Sequence, residues 1–91
     1  TSAYQFNDKK LMVLDSLGIY PFDSKPIDFL LLTQSPKINL ERLIYRLKPK
    51  AIIADGSNYR SYVKRWELTC AKKELPFHYT GEKGAYIFEI D

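Results

Sequence analysis

One corner of the sequence combines residue types that bind anions in other proteins. Asp55, Gly56, Ser57 and Asn58 follow an apolar run and precede a stretch with helical spacing. In open α/β sheets, ligands bind just beyond the carboxyl ends of the strands. A turn at Gly56 and a cap at Ser57 or Asn58 would leave backbone N–H groups and Arg60 to receive a phosphate. A turn and a cap without any ligand explain the same residues, and we favour this simpler interpretation because caps are far commoner than anion sites.

The stretch after this corner carries positive charge at helical spacing. Arg60, Lys64 and Arg65 would contact phosphates, with Tyr59 and Tyr62 nearby for base stacking. Glutamates lie among these cations, which favours an ordinary solvated helix face. Two further cations lie on the first predicted helix, and they extend the patch only if both helices face the same way. These two are Arg42 and Arg46.

Residues suited to catalysis or metal binding are few and scattered. The chain has one cysteine and one histidine, which excludes an internal disulfide and a thiolate zinc site. Cys70 lies at helical spacing from Val63 and Trp66, so we expect it in the core. Asp15 and Asp55 both end predicted strands, but no third metal ligand accompanies them. These residues alone therefore predict no catalytic residue, no metal site and no cofactor.

Length and composition indicate one small α/β domain over residues 1–91. About 45% of the residues are apolar and 14% are aromatic, enough to build a core. The net charge of +3 is compatible with a nucleic-acid partner but does not require one. No apolar run approaches the roughly 20 residues that a membrane-spanning helix needs. The chain begins with Thr1 and without a leader pattern, so we expect a piece of a longer protein, with residues 1–9 poorly ordered.

The hydrophobic pattern predicts the order β-β-α-β-α-β-β. The apolar runs are short and continuous, as in strands covered on both faces. A β-α-β unit implies parallel strands with helices packed on the sheet, hence a layered α/β piece. The predicted strands are 10–15, 27–33 and 51–55, the helices are about 40–48 and 58–74, and a hairpin joins 77–80 to 85–90 through 81–84.

Three short motifs follow one another in the second half of the chain. Lys48-Pro49-Lys50 leads into an apolar strand, Gly56 and Asn58 follow it, and Thr80 and Gly84 belong to a strand pair. In this order, they resemble the carboxyl-terminal end of the metallo-β-lactamase-like domain of ComEC competence proteins, over most of the chain from about residue 10. The resemblance implies a cytoplasmic-membrane protein of DNA uptake. It also implies a membrane-embedded remainder of the same polypeptide and an extracytoplasmic position for this domain.

The same resemblance implies that this chain lacks metal-ligand residues that active family members carry. Active members carry His-His-Gly-Ser where this chain has Thr33-Gln34-Ser35-Pro36, and a His-Pro pair where it has Ser61-Tyr62. A two-metal hydrolase holds its ions with several His and Asp side chains, so losing these positions removes most of the ligands. The resemblance therefore implies a degenerate site without metal or cofactor. Its rim is formed by Thr33, Gln34, Asp55 and Gly56.

Three functions remain open from the sequence. The first is a non-catalytic, metallo-β-lactamase-like domain of a ComEC-like DNA-uptake protein. The second is a DNA-binding module built on the basic second helix, whose contacts are Ser57, Asn58, Arg60, Lys64 and Arg65. The third is a metal-dependent nuclease completed by ligands upstream of this chain.

Overall fold

The computed structural model describes residues 2–6, 8–16 and 27–83. Its order of elements confirms the predicted α/β class and adds a strand at the amino end. The strands are β1 (Ser2–Phe6), β2 (Lys9–Leu14), β3 (Phe29–Leu32), β4 (Ala51–Ala54) and β5 (Phe77–Tyr79). The helices are α1 (Leu40–Leu47), α2 (Arg60–Lys72) and α3 (Thr80–Lys83).

The five strands form one sheet in the order β1-β2-β3-β4-β5. β1 pairs antiparallel with β2, whereas β2, β3, β4 and β5 are parallel. Parallel neighbours need a crossover, and α1 and α2 supply it on either side of β4. The register aligns Leu14, Leu32, Ala54 and Tyr79 across the sheet. The residues that follow these four therefore lie along one edge, the carboxyl edge of the parallel strands.

The hydrophobic core lies between the sheet and the two longer helices. Sequential strand order with right-handed crossovers places consecutive helices on the same face, and α1 and α2 contact each other there. The buried residues of the two helices recur at helical spacing and lie in one cluster with alternate strand residues. From the strands the cluster contains Met12, Leu14, Leu30, Leu32, Ile52 and Ala54, and from the helices Leu40, Leu43, Leu47, Val63, Trp66 and Cys70.

The two helices begin in different ways. Asn39 caps α1, because its Oδ1 accepts a hydrogen bond from the N–H of Arg42 at 3.1 Å. α2 begins at Arg60 with Tyr59 in the N-cap position, and no side chain caps it. The prediction that Ser57 or Asn58 caps this helix is therefore wrong. Their side chains are instead bonded to a neighbouring loop.

Both ends of the described chain differ from the predicted elements. Residues 2–6 form β1, where the sequence predicted no element, because the antiparallel partner in β2 supplies the ladder. At the other end, β5 corresponds to the first strand of the predicted hairpin. Residues 80–83 are helical rather than a hairpin turn, and the second predicted strand, 85–90, lies outside the described residues.

Asp28 organises the opposite, amino edge of the sheet. Its carboxylate accepts a hydrogen bond from the Lys10 N–H at 2.8 Å, and Lys50 Nζ lies 3.3 Å away. The Lys10 N–H, helped by Lys50, holds the pKa of Asp28 below its ordinary value of 3.8. The ionised carboxylate therefore stabilises the fold by linking β2 to the start of β4.

We expect this carboxylate to make the stability of the domain depend on acid pH. A lowered folded-state pKa contributes stability that is present above the unfolded pKa near 3.8 and is lost as pH falls through the folded value. Urea unfolding at neutral pH and near pH 3 should show that Asp28→Asn loses less stability on acidification than the wild type. Glu67→Gln, on the exposed face of α2, is the matched control. Equal acid sensitivity of the wild type and Asp28→Asn would contradict this role.

Candidate functional site

Two loops at the carboxyl edge of the sheet are joined by hydrogen bonds. We call them the braced loops; they are residues 33–36 after β3 and 55–59 after β4. The Gln34 N–H donates to Ser57 Oγ and the Ser35 N–H donates to Asn58 Oδ1, both at 2.8 Å. In return, the Tyr59 N–H donates to Ser35 Oγ at 2.7 Å. Bonds in both directions fix the position at which α2 begins.

The braced loops hold two residues in a left-handed backbone conformation. Gln34 has φ 57° and Ser35 has φ 51°, which costs about 1–3 kcal/mol for each residue. This conformation aims two successive N–H groups at Ser57 and Asn58, so the hydrogen bonds offset the strain. The loop geometry at Thr33–Pro36 is thus set by the partner loop rather than by glycine.

Asn58 is the centre of this arrangement. Only 5% of the residue is exposed. Its Nδ2 donates to the carbonyl oxygens of Leu32 at 2.7 Å and of Asp55 at 3.0 Å, while Oδ1 accepts from Ser35. Asn58 was predicted as a contact for phosphate or DNA. Both side-chain polar atoms are bonded within the protein, so Asn58 holds the two loops together.

Asp55 is likewise bonded within its own loop. Its Oδ1 accepts from the Ser57 N–H at 3.0 Å, from the Ser57 hydroxyl, and from Asn58 Nδ2 at 3.3 Å. An aspartate bonded two residues ahead makes this kind of turn without glycine. Gly56 accordingly lies outside the left-handed region, and a Cβ there would meet Gly81 Cα at an ordinary 3.7 Å. The turn was expected to depend on Gly56, but Asp55 makes it.

The side chains at this edge do not fit a two-metal centre. Asp15 follows β2 and Asp55 follows β4, with Thr33 between them, so two strand spacings of about 4.8 Å each separate the carboxylates' backbones. The Thr33 hydroxyl donates to the Leu14 carbonyl oxygen at 3.2 Å. Within residues 2–6, 8–16 and 27–83, no three His, Cys, Asp or Glu side chains form a group that could hold a metal ion. A two-metal hydrolase needs several such ligands together.

An aromatic and basic surface extends from the braced loops along one flank of α2. Tyr59 is 68% exposed and meets Tyr62 edge-on, with ring centroids 5.6 Å apart. Arg65 Cζ lies 5.1 Å from the centroid of the Tyr62 ring, a cation–π contact. Trp66 continues the row inward at 5.8 Å from Tyr62. The two tyrosine rings and the Arg65 guanidinium therefore lie next to one another on this surface.

The other predicted contact residues of α2 lie on a different flank. At about 100° per residue, Lys64 projects about 100° and Arg60 about 140° away from Arg65 around the helix. All three side chains are exposed, as is Ser57 in its loop. The structure thus separates the predicted basic stripe into two parts, with Arg65 beside the tyrosines and the other two cations around the helix.

Two cavities flank Tyr62. The loop-edge cavity, of about 420 Å³, lies against the braced loops and is lined by Ser16, Gln34, Ser35, Lys37, Ser57, Tyr59 and Tyr62. The Tyr62 groove, of about 520 Å³, lies between the start of α1 and α2. Its lining includes Lys37, Asn39, Glu41, Tyr62, Arg65 and Trp66. Lys37 and Tyr62 line both cavities.

Sequence reasoning missed two residues of this site. Lys37 belongs to no helical charge stripe, and only the crossing from β3 to α1 brings it beside Tyr62. Ser35 was noted only as part of the segment Thr33-Gln34-Ser35-Pro36, although its hydroxyl accepts the Tyr59 N–H. The polar cluster between an apolar strand and a helix was the one available signal, since such clusters form site loops in parallel sheets.

The remaining candidate residues, Cys70, Arg42 and Arg46, lie outside the braced loops. Cys70 is fully buried as predicted, and burial raises the pKa of its thiol to about 12. A thiol that stays protonated is a poor nucleophile. Arg42 and Arg46 are exposed on α1.

None of the helices in the described part of the chain has the length and apolarity to cross a bilayer.

Comparison with known proteins identifies the family. The family model of the ComEC C-terminal domain matches residues 1–90, nearly the whole chain. No curated protein and no solved structure matches significantly. The order of elements and the match agree with the resemblance drawn from Lys48-Pro49-Lys50, Gly56 and Asn58. The chain belongs to the ComEC C-terminal domain family, whose members are membrane proteins of DNA uptake in competence.

Proposed function

We propose that this domain is a non-catalytic part of a ComEC-family DNA-uptake protein and that it contacts DNA with the exposed residues at the start of α2. The observation that carries the proposal is the row of Tyr59, Tyr62 and Arg65, with Tyr59 68% exposed. Aromatic rings beside cations are the pattern by which proteins hold nucleic acid without reading its sequence. The comparison with the ComEC family supplies the context, since DNA is what these proteins take up.

The phosphate contacts come from groups around the first turns of α2. Arg60, Lys64 and Arg65 are exposed cations, and Ser57 is exposed in the loop before the helix. No side chain caps α2, and the amides of Arg60 and Ser61 lie at the positive end of the helix dipole. These amides add to the attraction for phosphate. The attraction does not depend on base identity, so we expect binding without sequence preference.

The braced loops support the non-catalytic half of the proposal. In an active metallo-β-lactamase-like domain, the resemblance implies histidine ligands at the place of Thr33 and Gln34. In this chain, the Thr33 hydroxyl donates to the Leu14 carbonyl oxygen and the Gln34 N–H donates to Ser57 Oγ. Both positions are bonded within the chain, and neither side chain is an imidazole or a carboxylate of the kind that holds the ions of a two-metal hydrolase. We therefore propose a degenerate hydrolase rim that now positions a DNA-contact surface.

The membrane-embedded remainder of the polypeptide is the proposed partner of this domain. We place the domain on the extracytoplasmic side, where incoming DNA arrives before it crosses the membrane. A reporter fused after this domain in the full-length protein tests that placement. An active periplasmic or surface reporter supports it, and activity of a cytoplasm-only reporter contradicts it.

Salt dependence of DNA binding tests the contact surface. With three phosphate contacts, the affinity for single-stranded DNA falls about twentyfold between roughly 50 and 200 mM salt. Reversing two charges, in Arg60→Glu with Lys64→Glu, should lower the affinity by about tenfold at low salt and flatten the salt dependence to about threefold. Fluorescence anisotropy of a labelled oligonucleotide measures both. Binding that ignores salt, or that survives the double reversal unchanged, would rule the surface out.

A cleavage assay tests the absence of catalysis. The domain should leave labelled DNA intact in the presence of Mn²⁺, Mg²⁺ or Zn²⁺. A longer chain that includes the upstream part of the protein should also leave it intact. Cleavage by the longer chain that disappears in Asp15→Asn or Asp55→Asn would instead favour a nuclease completed by upstream ligands.

A further inference from the structure

The loop-edge cavity and the Tyr62 groove meet at two shared residues. Lys37 and Tyr62 line both, so the two spaces are neighbours on either side of the Tyr62 ring. The first begins at the carboxyl edge of the sheet, and the second follows the space between α1 and α2. Each has the size of a small-ligand site, about 300–1,000 Å³. Together they form a path that leads away from the braced loops.

We infer that this path is a track for a single-stranded segment of DNA, with Tyr59 and Tyr62 as stacking surfaces and with Lys37 and Arg65 as phosphate contacts. The inference rests on the proposed function and adds to it the course and the form of the bound strand. It also gives a role to Lys37, which no motif in the sequence marked.

The chemistry of the lining favours a single strand over a duplex. Stacking on tyrosine requires a base face that is not already covered, and only unpaired, splayed nucleotides offer one. Tyr59 is largely exposed and stands at the loop-edge cavity, while the half-buried Tyr62 separates this cavity from the groove. The two rings lie edge-to-face at 5.6 Å and Arg65 lies over one face of Tyr62, so the exposed Tyr59 ring offers the larger stacking surface.

The side-chain charges along the track attract a phosphate backbone more strongly in the loop-edge cavity than in the Tyr62 groove. Lys37 is the cation of the loop-edge cavity, and no acidic side chain lines that cavity within the described residues. Arg65 is held against Tyr62 at 5.1 Å in the groove. Glu41, in the first turn of α1, also lines the groove and repels phosphate there. Replacing Glu41 with an uncharged residue should therefore raise the affinity for DNA, whereas most substitutions in a binding site lower it.

Trp66 provides an internal probe of the groove. It is the only tryptophan in the chain; it lines the groove and lies 5.8 Å from Tyr62. A strand that enters the groove changes the surroundings of this indole ring, whereas a strand bound only to Arg60 and Lys64 leaves them unchanged. Tryptophan fluorescence thus reports occupancy of the track, and anisotropy of labelled DNA reports binding anywhere on the protein.

The experiment titrates the domain with a short labelled oligothymidylate and with a duplex of the same length, reading both signals. We expect the two signals to follow one binding curve and the single strand to bind about tenfold more tightly than the duplex. Lys37→Glu with Arg65→Glu should lower the affinity for the single strand by about tenfold or more. Lys72→Glu with Lys73→Glu makes the same change of charge about 11 Å from Arg65 along α2 and should have a much smaller effect.

Glu41→Gln should raise the affinity about twofold to fivefold, since a like charge leaves the groove. Glu74→Gln, an exposed site just after the carboxyl end of α2, is its control and should change little. An anisotropy change without any Trp66 response, or equal loss in the two double reversals, would overturn the track and leave the proposed function standing. No anisotropy change at any salt concentration would overturn both.

Discussion

Asn58→Ala should lower the free energy of unfolding by about 2–4 kcal/mol. The substitution removes the acceptor of the Ser35 N–H and a donor to the carbonyl oxygens of Leu32 and Asp55. Ser35 then keeps a strained backbone, with φ 51°, but loses the bond that offsets the strain. The total free energy of unfolding of a small domain is only about 5–15 kcal/mol. The hydrogen bonds of this one side-chain amide therefore contribute a large share of the stability. Urea unfolding followed by circular dichroism measures the change.

Two variants make this prediction specific. Asn39→Ala removes the same side chain from the exposed cap of α1 and should cost about 1 kcal/mol. Asn58→Asp keeps the shape and the acceptor for Ser35 but replaces the donor with a second carboxylate close to Asp55. It should therefore be at least as destabilising as Asn58→Ala at neutral pH. If Asn58→Ala costs no more than Asn39→Ala, Asn58 does not hold the braced loops together.

Leu43→Ala should cost about 2–5 kcal/mol, the second large effect. Leu43 is fully buried in the middle of α1, within the cluster between the helices and the sheet. Its removal leaves a cavity under the helix whose start forms one wall of the Tyr62 groove. Thermal and urea unfolding both measure this loss.

Leu68→Ala is the matched control, because Leu68 lies on the solvent face of α2 and is 72% exposed. Its effect should stay within about 0.5 kcal/mol. The contrast between the two leucines tests the packing directly. Similar losses in both variants would mean that α1 does not dock on the sheet through Leu43.

The periodic parts of the fold could be predicted from the sequence. Leu40, Leu43 and Leu47 recur at helical spacing, and Asn39 stands where a cap belongs. The run Ala51–Ala54 is continuously apolar because both of its faces are covered. Such local signals are enough for the α/β class and for the parallel strands.

The start of α2 could not be predicted in the same way. Ser57 and Asn58 have good capping side chains, and sequence alone gives no competitor for them. The competitor is the loop after β3, whose Gln34 and Ser35 amides take those oxygens through tertiary contact. Residues in one loop were thus assigned without knowledge of the loop beside them.

The candidate site was only partly visible for the same reason. Tyr59, Tyr62 and Arg65 are close in sequence, and their proximity on one helix was expected. Lys37 joins them only because β3 and β4 are neighbours and α1 starts beside α2. The sequence did not distinguish Arg60 and Lys64 from Arg65, but the helical geometry places their side chains on another flank of α2.

The most direct test of the proposed function is an NMR titration of the isotope-labelled domain with short single-stranded DNA at low and moderate salt. We predict shifts at Tyr59, Arg60, Tyr62, Lys64 and Arg65, all of which shrink as salt rises. The buried Asn58 side chain should shift little, since it holds the loops without touching DNA. No shifts at low salt, or shifts confined to residues far from the start of α2, would contradict a DNA-contact role for this domain.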